Sequence, residues 1–96
     1  MNEARSQHSS CTLGKWLFVF GGYDGYKYLE SIERCDMEAN SQWDSYNVDA
    51  FTKRCSAAVS PLNSDSIVIF GGFVDLNSLQ DVIILNASSM TAETLV

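Results

Sequence analysis

The chain has 96 residues, enough for one small domain or for two copies of a supersecondary unit. A hydrophobic content of 46% is that of a globular chain rather than a disordered one. Twelve acidic against six basic residues leave a net charge of −6 without a basic patch, which argues against nucleic acid and anionic membrane surfaces as partners.

Residues 1–10 hold no apolar run of the signal-peptide kind, and no stretch approaches the roughly 18 apolar residues of a membrane span. Ser9 to Leu13 reads as a first strand, ended by Gly14-Lys15. Trp16 to Phe20 is a second, a continuous apolar run of the sort expected where both faces of a sheet are covered. A third is expected at Ser31 to Cys35 and a fourth at Gln42 to Tyr46. Further along, Ser56 to Ser60, Ser66 to Phe70 and Asp81 to Leu85 have the same character. Ala87 to Val96 is compatible with a last strand, a frayed tail or a short helix. Short strands separated by Gly, Asn and Asp suggest antiparallel meanders.

The chain repeats itself. Leu17-Phe18-Val19-Phe20-Gly21-Gly22 returns fifty residues later as Ile67-Val68-Ile69-Phe70-Gly71-Gly72. A fixed period of this length marks a repeat architecture, in which each unit buries its faces against a neighbour. With the glycine pairs aligned, Tyr23 lies opposite Phe73, and Leu29 to Asp36 lies opposite Leu79 to Asn86. Arg5 falls one position from the expected partner of Arg54. Tyr28 to Asn40 alone has an amphipathic helical spacing, with Leu29, Ile32 and Glu33 on one side. Its counterpart Val82-Ile83-Ile84-Leu85 is a β-branched run, and this decides for strand.

The order Arg5, His8, Leu17 to Gly22, Asp24-Gly25, Leu29 to Asp36 and Trp43 resembles a kelch repeat. Cys35 stands where that family usually has tyrosine. The second copy matches through Arg54, Gly71-Gly72 and the strand at Val82 to Asn86, with Glu93 where the tryptophan would fall. The resemblance implies an all-β fold of two four-stranded antiparallel blades, an incomplete β-propeller, with repeats at residues 4–50 and 53–96. Gly21, Gly22, Gly71 and Gly72 would permit positive φ and close approach of a neighbouring strand, and Trp43 would pack between blades.

Propellers typically use 4 to 8 blades, and two leave apolar flanks exposed. The chain would then be part of a longer protein, assemble with further copies through its open flanks, or persist as a two-blade sandwich. A start almost at the first repeat and an incomplete last strand favour the first of these.

Candidate chemistry is sparse. Neither GGYDGYK nor GGFVDLN has the spacing or lysine of a phosphate-binding loop. His8 and the three cysteines lack a closely spaced Cys pair, so no metal site is expected. Those cysteines, Cys11, Cys35 and Cys55, read as reduced small hydrophobes, and a cytoplasmic setting follows. The tyrosine and histidine ligands of kelch-fold copper oxidases are not evident. Asp24, Asp36, Asp44 and Asp49 read as turn residues, and no cofactor is expected. Asn86-Ala87-Ser88 fits a glycosylation sequon that means nothing without export.

The loops offer more. Tyr23 to Tyr28 places three tyrosines and two opposite charges in one connection, a composition suited to recognition. In kelch propellers the connection between second and third strands is among those that meet partners. The resemblance therefore nominates Asp24, Tyr26, Lys27 and Tyr28, with Asp75 and Asn77 in the second copy, while Tyr23 and Phe73 read as packing residues. The expected function is a non-catalytic protein-interaction scaffold, with an adaptor role in a larger protein as a family-level expectation. The alternatives are an enzyme or small-ligand site completed by further blades, and a truncated product without function.

Overall fold

The computed structural model describes residues 4–39 and 42–95. Every regular element among them is a strand. The first four are β1 (Ser9–Leu13), β2 (Trp16–Phe20), β3 (Ser31–Asp36) and β4 (Trp43–Asn47), which form one antiparallel meander. Next come β5 (Ala58–Pro61), β6 (Ser66–Phe70), β7 (Phe73–Val74), β8 (Asn77–Ser78), β9 (Val82–Asn86) and β10 (Thr91–Thr94). The second large sheet has the order β10-β9-β6-β5, the same meander, and β7 pairs with β8 as a small hairpin. The expected blades are present, with ends shifted by one or two residues: β4 starts at Trp43 rather than Gln42, β5 at Ala58 rather than Ser56, and β9 at Val82 rather than Asp81. Of the three readings of residues 87–96, the strand prevails over 91–94. The helical alternative for Tyr28 to Asn40 fails over the described residues, since β3 pairs along its length with β2 and β4.

Alternation explains how the blades stack. Residues directly opposite in antiparallel strands share a face. Phe18 pairs with Arg34 and Phe20 with Ile32, so these four point to one side of the first blade. In the second blade Ile67 pairs with Leu85 and Ile69 with Ile83. Phe18, Phe20, Ile32, Ile67, Ile69, Ile83 and Leu85 form one core between the two sheets, each no more than 2% exposed. Val48 and Phe51 on the connection to β5 close it, with Phe51 tilted against Phe20 at 6.1 Å between ring centroids. At the inner edge the strands β1 and β5 lie side by side, and Ser9 Oγ donates to the Ala57 carbonyl.

Trp43 pairs with Cys35 and so lies on the face turned away from the second blade, while Trp16 packs against the core between the two blades. One correction to the sequence reading concerns register. Ala92, not Glu93, pairs with Leu85 as Trp43 pairs with Cys35, because the β9–β10 connection is shorter than the β3–β4 connection.

Arg5 and Arg54 prove equivalent. Arg5 Nη1 donates to the Gly21 carbonyl at 2.7 Å, and Arg54 Nη1 to the Gly71 carbonyl at 3.0 Å. The one-residue offset arises beyond them, in the β1–β2 connection, which is longer in the second blade. Each guanidinium also meets a carboxylate, within β3 for Arg5 and immediately before β9 for Arg54. Arg5 reaches Glu33 at 2.6 Å, whereas Arg54 grips Asp81 through two bonds of 2.7 and 2.8 Å. Asp81 is the counterpart of Ser31, and Ile83 that of Glu33. The acid thus lies two residues earlier in the repeat, just ahead of the strand.

At the glycine pairs the backbone comes too close for a side chain. Gly22 has φ +106°, and a Cβ there would lie 2.7 Å from the Ser6 carbonyl oxygen; at Gly72, φ is +89° and the Cys55 oxygen would be 2.6 Å away. Gly22→Val and Gly72→Val are each expected to cost about 2–4 kcal/mol in thermal or urea melts, against about 0.5 kcal/mol or less for Tyr26→Ala. The reverse order would remove the close-approach role of the glycines.

The Arg54 guanidinium holds the Asp81 carboxyl below its ordinary value. A depressed folded-state pKa contributes stability above the usual carboxylate value of about 4, and that stability is lost as pH falls through the folded value. Urea titrations from neutral to acid pH should therefore show a shallower acid loss for Asp81→Asn than for the native chain. Arg54→Met should cost about 3 kcal/mol at neutral pH.

Candidate loop face

The β2–β3 connection is built by its aspartate. Asp24 Oδ1 accepts the backbone N–H groups of Tyr26 and Lys27, both at 2.8 Å, and the Asp24 amide donates to the Lys27 carbonyl. These bonds hold the Asp24 carboxyl below its ordinary value, with the nearby Lys27 charge adding to them. Asp24 is thus a turn-former whose acceptor capacity is directed inward. Tyr23 and Tyr28 bridge across the base of the loop, with rings tilted 53° at 5.1 Å.

That anchoring leaves the tip outside. Tyr26 is 94% exposed. In the second blade the same connection is the β7–β8 hairpin, turning through Asp75-Leu76, and Leu76 is 101% exposed. Residues 26 and 76 occupy one register position of the repeat, and they are the most exposed of the large hydrophobic side chains. Positive φ is likewise shared: Gly25 carries it in the first loop at +102° and Asp75 in the second at +55°. Asp is among the few non-glycine residues that adopt this conformation readily, so Asp75 has a backbone reason for its place.

The nominated residues therefore separate. Tyr26, Lys27, Asp75 and Asn77 are exposed on the loops, Asp24 shapes the turn, and Tyr28 is partly buried against Tyr23. Phe73 and Tyr23 are partly buried at the loop bases, in bridges to Cys55 and Ser6. Leu76 was missed by sequence reasoning, though its register with Tyr26 was available as a signal. Beside the first loop lies an open cleft of ≈ 450 Å³, lined by Lys27, Tyr28, Glu30, Ser45, Asn47 and Lys53 among others. Lys53 was likewise missed, because it comes from the β4–β5 connection.

Elsewhere the chemistry is structural. Asp36 caps a turn through the amides of Glu38 and Ala39 and pairs with Lys15 at 3.0 Å. Asp44 is a correction: it sits within β4, opposite Arg34, not in a turn. His8 is exposed just before β1. Burial pushes the Cys11 thiol up to about 11, away from nucleophilic character. Cys11, Cys35 and Cys55 are free thiols. No group of three or more His, Cys, Asp or Glu among the described residues could hold a metal ion, and no helix there is long and apolar enough to cross a membrane.

No curated protein matches the chain. The family model of the Kelch motif matches residues 4–45, which spans the first blade from Arg5 through its anchoring glycines to β4. The second blade repeats that strand order and the arginine-to-glycine anchor. Residues 4–45 thus carry a kelch motif, and the chain continues with a second four-stranded blade built on the same plan.

Proposed function

We propose that this chain is a non-catalytic protein-interaction module, with the β2–β3 and β7–β8 loops as its contact surface. The carrying observation is the matched pair Tyr26 and Leu76, fully extended into solvent from anchored loops of successive blades. Large apolar residues at turn tips contribute nothing to folding and suit anchoring in a partner's pockets. The rigid blades hold both tips while their sequence differs, which is how a repeat scaffold acquires specificity. A scaffold or adaptor role in the cytoplasm fits the unpaired cysteines and belongs to the same proposal.

A photo-crosslinking amino acid at position 26 or 76 tests this in cells. Both positions should yield adducts of one common mass. Lys15, at the opposite end of the strands, should yield none. Adducts confined to position 15, or absent from both tips, would overturn the loop-face reading.

Self-association is the second part of the proposal. The outer face of the second blade presents Val68, Phe70, Val82 and Ile84, and Phe70 is 51% exposed. Their counterparts Phe18, Phe20 and Ile32 in the first blade are buried by the second. Sedimentation velocity should show association rising with concentration and reduced in Phe70→Lys. A monomer at every concentration would remove this part.

A further inference from the structure

The chain has six basic residues, and four are engaged within the fold. Arg5 meets Glu33, Lys15 meets Asp36 and Arg54 meets Asp81. Arg34 lies over the Trp16 ring at 4.2 Å and near Tyr46 at 5.2 Å. Lys27 and Lys53 remain. Both are exposed, and neither makes an ion pair among the described residues. They come from different connections, yet both line the ≈ 450 Å³ cleft beside the first loop.

The charge of this cleft opposes that of the whole molecule. Acids outnumber bases twelve to six in the chain, whereas Glu30 is the single carboxylate lining a cleft with two lysines. Asp24 and Lys27 feel each other's charge, while the Asp24 Oδ1 is occupied by two backbone amides. At physiological ionic strength fields decay over about 8 Å, so a bound segment senses these two lysines more than the distant surface. The cleft also has an extended rail. Ser45 and Asn47 are alternate residues of β4 and so share one face, and Tyr28 adds a phenol. Hydroxyl and amide groups at strand spacing suit the peptide groups of an extended chain.

We propose that this cleft receives an extended acidic segment of a partner protein, with its carboxylates meeting Lys27 and Lys53. The proposal rests on the loop-face reading and adds the chemistry of the partner. Lysine here supplies point charges on flexible stems, so it selects acidity more than one fixed geometry.

The test uses a fluorescein-labelled hexaglutamate peptide and the full chain, read by fluorescence anisotropy at low ionic strength. Saturable binding is expected, weakening as salt rises. The double variant Lys27→Glu/Lys53→Glu should lose about tenfold or more in affinity. Lys27→Arg/Lys53→Arg should retain binding, and Lys15→Glu should leave it unchanged. Absence of saturable binding, or an equal loss in Lys15→Glu, would overturn the proposal. Should that happen while crosslinks form at positions 26 and 76, only the acidic partner falls. Loss of those crosslinks as well would remove the loop face itself.

Discussion

Each blade is held by a buried arginine that links three separate segments. Arg54 is 1% exposed and gives its donors to the Gly71 carbonyl, both Asp81 oxygens and Thr52. A guanidinium can satisfy several acceptors in one plane, which makes its burial tolerable where an ammonium would strand protons. The arrangement ties the segment before the inner strand to the corner after the second strand and the start of the third. Arg5 does the same in the first blade with Gly21, Ser31 and Glu33. The corner carbonyl is available only because the glycine backbone turns sharply there, so arginine and glycine pair work as one unit.

From that corner the two faces of each sheet acquire different tasks. One face of the first blade meets the opposite face of the second, and the aliphatic rows Ile67/Ile69 and Ile83/Leu85 fill the space under Phe18, Phe20 and Ile32. Further out, Arg34 spans the junction. Its guanidinium lies between Trp16 and Tyr46, and Nη1 reaches the Ala87 carbonyl at 3.4 Å. Its Nε is buried without a hydrogen-bond partner, so the aromatic faces are the main compensation for its desolvation. Glu33 and Ile83, polar and apolar at one repeat position, show how each blade adapts that position to its own neighbours.

The loops take their character from what the corners leave unused. Asp24 and the Tyr23–Tyr28 pair consume the local hydrogen-bonding and packing capacity, which frees Tyr26 and Lys27 from structural duty. In the second blade a two-residue hairpin reaches the same end with Leu76 at its tip. Anchored bases with free tips reduce the ordering cost of binding. That property is what an interaction surface on a repeat scaffold requires.

Repetition at a fifty-residue period made the blades legible before any coordinates, because the glycine pairs and the apolar runs ahead of them answer to local backbone demands. The same holds for the turn role of Asp24, an effect confined to neighbouring residues. Pairings between segments were not legible in this way. The one-residue slip that hid the match of Arg5 with Arg54 comes from a longer β1–β2 connection, and a similar difference in the β9–β10 connection puts Ala92 where Glu93 was expected. Trp16 rather than Trp43 faces the second blade, since either face of a strand can be the buried one until the neighbouring sheet is placed. Lys27 and Lys53 meet at one cleft only because the chain folds back past β4, a distance in space that the order of residues does not encode.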